Sequence, residues 1–204
     1  MIHPTEFMAQ CKVVLLGSSF AGKTSILRRL VFNKFNNDYA STLGTSLSTY
    51  DCQANGQSVR LNVWDTAGQE NYRSLAKVYY RDANAAMIVY DVTSAESFKD
   101  IEYWISELDS SDSIGYSITI VANKIDMRDK RLISEETGKA FAEKVGASYA
   151  EVSALTGEGV RLLFDSIATK FVQIRDDPKK NRRYSDLHTV QTSNVVRKNE
   201  SRCC

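Results

Sequence analysis

Apolar residues along the chain fall into short runs that alternate with amphipathic stretches of helical period. Runs rich in Val, Ile and Leu predict strands over 11–17, 45–54, 58–64, 85–91, 117–122 and 148–152. Between them, apolar positions recur every three to four residues over 22–33, 71–81, 95–109, 134–145 and 157–174, which predicts helices. Within 95–109, Phe98, Ile101, Trp104 and Ile105 share one stripe. Ser134 followed by Glu135 and Glu136 supplies an N-cap hydroxyl and an acidic first turn. Asn55-Gly56 between the second and third strands is a two-residue hairpin signal, so that pair should run antiparallel. The remaining alternation of strand and helix predicts an α/β fold. We expect a mainly parallel, doubly wound six-stranded sheet with one antiparallel strand and helices on both faces. Ligands in such sheets bind at the carboxyl ends of the strands.

Length and composition add boundaries to this pattern. The chain has 204 residues, 43% of them hydrophobic, enough for one full core. That core is expected over 11–174, after a short polar extension over 1–10. Beyond Pro178 come Lys, Arg, Ser, Asn and Thr with few bulky apolar residues, so 175–204 should be a disordered tail. The tail carries eight Lys/Arg against four Asp/Glu, net +4, which leaves the rest of this +1 chain at −3. A mildly acidic body with a basic tail argues against a nucleic-acid partner and fits a tail that meets an anionic membrane. Cys11 and Cys52 fall in predicted strands, where a small buried thiol is expected. No cysteine spacing suggests zinc or a disulfide framework. No apolar run has the length of a signal sequence or a membrane span, so a cytosolic body is expected.

Candidate chemistry begins at Gly17-Ser18-Ser19-Phe20-Ala21-Gly22-Lys23-Thr24, which fits G-x-x-x-x-G-K-[ST] between a predicted strand and a predicted helix. The glycines let the backbone curl so that the N–H groups of Ser19, Phe20, Ala21, Gly22, Lys23, Thr24 and Ser25 can meet phosphate oxygens. The helix adds the positive end of its dipole. Lys23 can bridge β- and γ-phosphates, and the Thr24 hydroxyl can ligate Mg²⁺.

Two further motifs complete the site. Asp65-Thr66-Ala67-Gly68-Gln69 follows the third strand. Asp65 can hold a Mg²⁺-bound water, Gly68 lets an N–H approach the γ-phosphate, and Gln69 has the donor and acceptor needed to orient an attacking water. Asn123-Lys124-Ile125-Asp126 follows the fifth strand. The Asp126 carboxylate only accepts, so it suits the N1–H and 2-amino donors of guanine and repels adenine's N1. Lys124 can lay its stem along the base, and Asn123 can tie this loop to the phosphate loop. Ser153-Ala154-Leu155, after the sixth strand, can offer an N–H to guanine O6. Phe35, in a polar loop near the phosphates, can pack edge-on against guanine or belong to the core.

These residues together resemble the Ras superfamily of small GTPases and, within it, the Rab family. The likeness covers 11–174 and the terminal cysteines. It is carried further by Arg60-Leu61-Asn62-Val63-Trp64, Asn71-Tyr72-Arg73-Ser74-Leu75, Tyr79-Tyr80-Arg81-Asp82-Ala83 and Ile88-Val89-Tyr90-Asp91-Val92-Thr93. Among Rabs, Tyr72 to Ala76 and Ala85 to Asp91 look most like the early-endosomal subgroup. The resemblance implies a P-loop NTPase G-domain that binds GTP or GDP with Mg²⁺. It implies Thr42 as a second metal ligand that senses the γ-phosphate. It implies an effector-binding triad at Leu47, Trp64 and Tyr79, and double geranylgeranylation of Cys203 and Cys204. The partners it implies are an exchange factor, a GTPase-activating protein, an escort protein with its prenyltransferase, a GDP-dissociation inhibitor and effectors. The place it implies is the cytoplasmic face of an intracellular membrane, in exchange with cytosol.

Three positions depart from the family pattern. Ser19 stands where Ras has glycine and crowds the γ-phosphate and Gln69. Leu43-Gly44-Thr45-Ser46-Leu47 replaces a stretch that usually ends in Phe. Asp82 stands where Rabs usually have Gly. The expected function is a membrane-anchored switch in vesicle traffic that hydrolyses GTP. Its rivals are a P-loop nucleotide kinase, a module holding GTP as a structural ligand, and a Ras- or Rho-type switch. The first would lack Asn123-Lys124-Ile125-Asp126, and the last would carry a C-a-a-X box.

Overall fold

The computed structural model describes residues 8–35, 44–66, 68, 79–109 and 117–177. Six strands form one sheet: β1 (Ala9–Leu16), β2 (Thr45–Ala54), β3 (Gln57–Thr66), β4 (Ala85–Asp91), β5 (Ser117–Asn123) and β6 (Ser148–Val152). Their order is β2-β3-β1-β4-β5-β6. Only β2 runs antiparallel, joined to β3 by a hairpin in which Ala54 faces Gln57. Asn55 and Gly56, at φ 50° and 76°, make the paired left-handed turn that the dipeptide predicts.

Among the described residues four α-helices are complete and cover the sheet: α1 (Lys23–Phe32), α2 (Ala95–Asp109), α3 (Glu135–Lys144) and α4 (Val160–Asp176). Alternating strand residues divide the core in two. Val13, Leu15, Val63, Met87 and Val121 pack against Ile26 and Leu27 of α1 and Leu163, Phe164, Ile167 and Phe171 of α4. Val14, Leu16, Ile88, Tyr90 and Ile120 pack against Ile101, Trp104 and Leu108 of α2 and Ala142 of α3. Phe98 and Ile105 join that second core, as their stripe predicts. Every residue of β4 is buried, because this central strand is covered on both faces. Ser134 caps α3, its hydroxyl accepting from the Thr137 N–H at 3.2 Å.

The elements differ from the sequence expectations mainly at their ends. β1 begins at Ala9, two residues early, because its edge pairing with β3 continues to Val59. β3 extends to Thr66, so Asp65 is held inside the strand rather than beyond it. α4 starts only at Val160, after Gly159 at φ 71°, and continues to Asp176. Asp177 is extended (φ −81°, ψ 112°), the conformation favoured before a proline. Cys11 is fully buried as expected, whereas Cys52 is only half-buried on β2. Asp82 sits at φ 58°. That left-handed backbone explains why glycine suits the position and why Asp, which tolerates it, can replace glycine. Of the predicted 71–81 helix only Tyr79 to Arg81 is described, with Tyr79 and Tyr80 helical; the rest lies outside the described residues. Among the described residues no helix is long and apolar enough to cross a membrane.

β1 is the switch point of the sheet, with β3 on one side and β4 on the other. The loop leaving its carboxyl end is Gly17 to Gly22, and those leaving β3, β5 and β6 open on the same edge. Topology alone therefore gathers the sequence motifs in one place.

Candidate functional site

The phosphate loop owes its shape to contacts that exclude side chains. Gly17 has φ 131°, and a Cβ there would lie 2.1 Å from the Val89 carbonyl oxygen of β4. Gly22 has φ 94°, and a Cβ there would lie 2.2 Å from Asn123 Nδ2. One glycine lets the loop leave the sheet, and the other lets the base-reading motif approach. Gly22 brings no side-chain cap to α1, so no cap hydroxyl or carboxylate from that position takes the first N–H groups of the helix. Phe20 also adopts a left-handed φ of 62°, and the residue is 62% exposed. Ser18 anchors the loop from the other side, its hydroxyl donating to Asp100 Oδ2 of α2 at 2.6 Å.

Lys23 is buried, and its ammonium donates to the carbonyls of Gly17 (2.7 Å) and Ser18 (2.9 Å). Burial pulls its pKa down to about 8, partly opposed by the nearby Asp65 carboxylate. The Thr24 hydroxyl donates to Asp65 Oδ2 at 2.6 Å. Asp65 is 1% exposed, and its second oxygen, Oδ1, is buried with no hydrogen-bond partner among the described residues. Burial raises its pKa, with the Thr24 bond and Lys23 pulling the other way. A buried, unmatched carboxylate oxygen next to a threonine hydroxyl is what a hard cation with oxygen ligands requires. Gly68 completes the pocket: a Cβ there would lie 2.5 Å from Lys23 Nζ and 2.6 Å from the Ser19 nitrogen. Any larger residue would fill the space above the loop.

The base-reading motif is braced from both sides. Asn123, 1% exposed, donates from Nδ2 to the Ala21 carbonyl (2.8 Å) and accepts at Oδ1 from the Ala154 N–H (3.2 Å). It thus ties three loops together, including the tie to the phosphate loop that the sequence suggests. Lys124, at φ 68°, pairs through Nζ with Asp91 Oδ2 at 2.5 Å. Asp91 is itself held by Thr93, whose N–H and hydroxyl donate to Oδ1 at 2.8 and 2.7 Å. Asp126 Oδ1 accepts from the Ser153 hydroxyl at 2.5 Å, and Ser153 Oγ accepts from the Thr156 N–H at 3.0 Å.

Sequence reading missed Arg29. From α1 its Nε donates to the Ala154 carbonyl (2.9 Å) and one terminal nitrogen to the Leu155 carbonyl (2.5 Å). The signal was absent because an arginine in an amphipathic helix reads as solvated, and its partners lie more than a hundred residues away. Phe35 is partly buried and packs against the first core. Leu47 faces Trp64 across the β2–β3 ladder, and the Trp64 and Tyr79 rings are 5.7 Å apart at 35°. Leu47 is 51% exposed, so the three form a partly exposed apolar group. Thr42, Gln69, Cys203 and Cys204 lie outside the described residues.

In comparison with known proteins, the family model of the Ras family matches residues 12–173. A relative in Beta vulgaris, "Ras-related protein Rab2BV", is 39% identical over 163 residues, covering 80% of this chain and 76% of the relative. A second, "Ras-related protein Rab-11A" of Dictyostelium discoideum, is 38% identical over 167 residues, covering 82% and 78%.

Proposed function

The chain belongs to the Ras family of small GTPases, as one of its Rab members, and on that footing we propose how its residues divide the work of a membrane-bound switch. The reaction is hydrolysis of GTP to GDP and phosphate. In our reading, the N–H groups from Ser19 to Ser25 bind the phosphates, and Lys23 leaves its two carbonyls to bridge the β- and γ-phosphates. Asp126 reads the guanine N1–H and 2-amino group, Lys124 flanks the base, Asn123 braces the loops, and Ser153 to Leu155 meet O6. Phe35 borders the base from the core. Thr24 and Thr42 would hold Mg²⁺, with Asp65 accepting from one of its waters. That ion supplies charge neutralisation for the phosphate oxygens.

The observation that carries this reading is Asp65 Oδ1, buried beside Thr24 and Lys23 and without a partner among the described residues. Gln69 orients the attacking water, and Ser19 restricts the room in which it does so. In our reading an activating protein supplies the further positive charge that the γ-phosphate needs. Hydrolysis removes what Thr42 and Gly68 hold, and both loops relax, so effectors that meet Leu47, Trp64 and Tyr79 let go.

The same reading assigns 11–174 to the GTPase domain, 1–10 to a short extension and 175–204 to a basic tail prenylated at Cys203 and Cys204. An escort protein, a prenyltransferase and a GDP-dissociation inhibitor would handle that tail, and an exchange factor would reload the switch. The protein then works in vesicle traffic on the cytoplasmic face of an intracellular membrane. The stretches around Tyr72 and Ala85 favour an early endosome.

A single-turnover assay tests the catalytic part. Gln69→Leu should slow GTP hydrolysis on the order of a hundredfold, most clearly with an activating protein, while GTP affinity stays nearly unchanged. An unchanged rate removes Gln69 from the mechanism and favours a protein that holds GTP as a structural ligand.

A further inference from the structure

Arg29 lies six residues after Lys23 on the same helix, so one rigid element carries both the phosphate lysine and this guanidinium. Each of its three side-chain nitrogens donates to an oxygen. Nε and one terminal nitrogen hold the Ala154 and Leu155 carbonyls, at 2.9 and 2.5 Å. The other terminal nitrogen donates to the Asn33 carbonyl and side-chain oxygens, both at 3.1 Å, which anchors the fork to the end of α1. Gly157 packs on the stem, since a Cβ there would sit 3.4 Å from Arg29 Cδ.

The consequence follows from peptide planarity. Each carbonyl shares its plane with the next residue's N–H, pointing the opposite way. Gripping the Ala154 and Leu155 carbonyls therefore fixes where the N–H groups of Leu155 and Thr156 point. Thr156 N–H lands on Ser153 Oγ, whose hydroxyl donates to Asp126. Asn123 Oδ1 holds the Ala154 N–H from the opposite side. The loop is thus clamped between α1 and the base-reading strand end, in a fork geometry that no other side chain reproduces.

We propose that Arg29 is a positioning residue for guanine: it holds the 153–155 loop so that the Leu155 N–H, aimed by the grip on the Ala154 carbonyl, meets O6. This rests on the assignment of that loop to guanine. Binding of GDP and of 6-thioguanosine diphosphate to full-length protein tests it. The thio analogue keeps the N1–H and 2-amino donors for Asp126 and replaces only the O6 acceptor with a weaker sulfur. Effects transmitted through Ser153 to Asp126 therefore cancel in the ratio of the two affinities.

The wild type should prefer GDP. Arg29→Met keeps the stem and removes the donors, and it should shrink that preference at least about threefold. Arg29→Lys, which can restore one bond, should recover part of it. A merely structural arginine would weaken both ligands equally and leave the ratio intact, and that result overturns the proposal, as does a variant that binds both ligands like the wild type. A wild type indifferent to the sulfur would overturn the O6 assignment itself, and the role of Arg29 with it.

Discussion

Asp126 presents two oxygens, and the structure gives one of them a partner. Oδ1 accepts from Ser153 and keeps a second lone pair, so Oδ1 and Oδ2 together can meet guanine's N1–H and 2-amino donors. In Asp126→Asn the amide oxygen can keep the Ser153 bond while the amide nitrogen takes the place of Oδ2. The fold should therefore survive and the base preference invert. Xanthine carries a C2 carbonyl where guanine has an amino group, so it should gain a bond while guanine loses charge-assisted ones. Two such bonds at about 1.5–3 kcal/mol each put the loss of GTP affinity at roughly a hundredfold or more. A competition assay with GTP and xanthosine triphosphate checks this, and retained guanine preference would sink the base assignment. At this scale the sequence was most legible where a residue type has one chemical use. A lysine and threonine after a glycine-rich loop and an acceptor-only carboxylate after a strand are such cases. It was silent on Phe20, since a left-handed backbone leaves no trace in an ordinary-looking phenylalanine. It was equally silent on the pairings of Lys124 with Asp91 and Ser18 with Asp100, which depend on which strands and helices become neighbours.

Elements turn those residues into a site by how closely their backbones approach. Gly17 is the tightest example: its missing side chain is required by a backbone oxygen of the most buried strand, which has no freedom to withdraw. Gly146 offers the contrast, with a left-handed φ of 68° but no atom within 4 Å of the point where a Cβ would stand. Gly146→Ala should cost only the strain of that backbone, about 1–2 kcal/mol. Gly17→Ala adds a collision with β4 and should cost more than about 4 kcal/mol, with nucleotide binding lost in parallel. Urea unfolding of the two variants separates the cases, and equal losses would show that the approach to Val89 is not what Gly17 serves. The strands themselves were readable because apolar runs and the Asn55-Gly56 turn act over a few residues. Their ends were not, because β1 and β3 lengthen each other through pairing, and pairing is invisible to a local pattern. The same lengthening moved Asp65 inside β3, where burial, rather than a turn, fixes its carboxylate beside Thr24.

For the whole molecule the deciding quantity is how charge and apolar mass are distributed between body and tail. The body is slightly acidic and the 175–204 segment carries net +4, so an anionic leaflet attracts one end of the protein and weakly repels the rest. Lys179, Lys180, Arg182 and Arg183 contribute about 1 kcal/mol each near such a surface, and this term fades within a Debye length as salt rises. That attraction alone is too weak and too salt-sensitive for stable residence, whereas buried lipid contributes about 0.8 kcal/mol per CH₂. One chain still exchanges off a bilayer, and two hold. If Cys203 and Cys204 are both prenylated, replacing both with serine should shift the protein entirely to the soluble fraction. Replacing one should leave partial binding. Neutralising the four basic residues should leave a smaller loss that grows with ionic strength. Nucleotide affinity should be unchanged in all three, because α4 closes the described core by Asp176, before any of these positions. Sedimentation with liposomes containing anionic lipid, using protein isolated from a prenylating host, provides the measurement. Membrane binding by the double variant at physiological salt would place the anchor elsewhere in the chain.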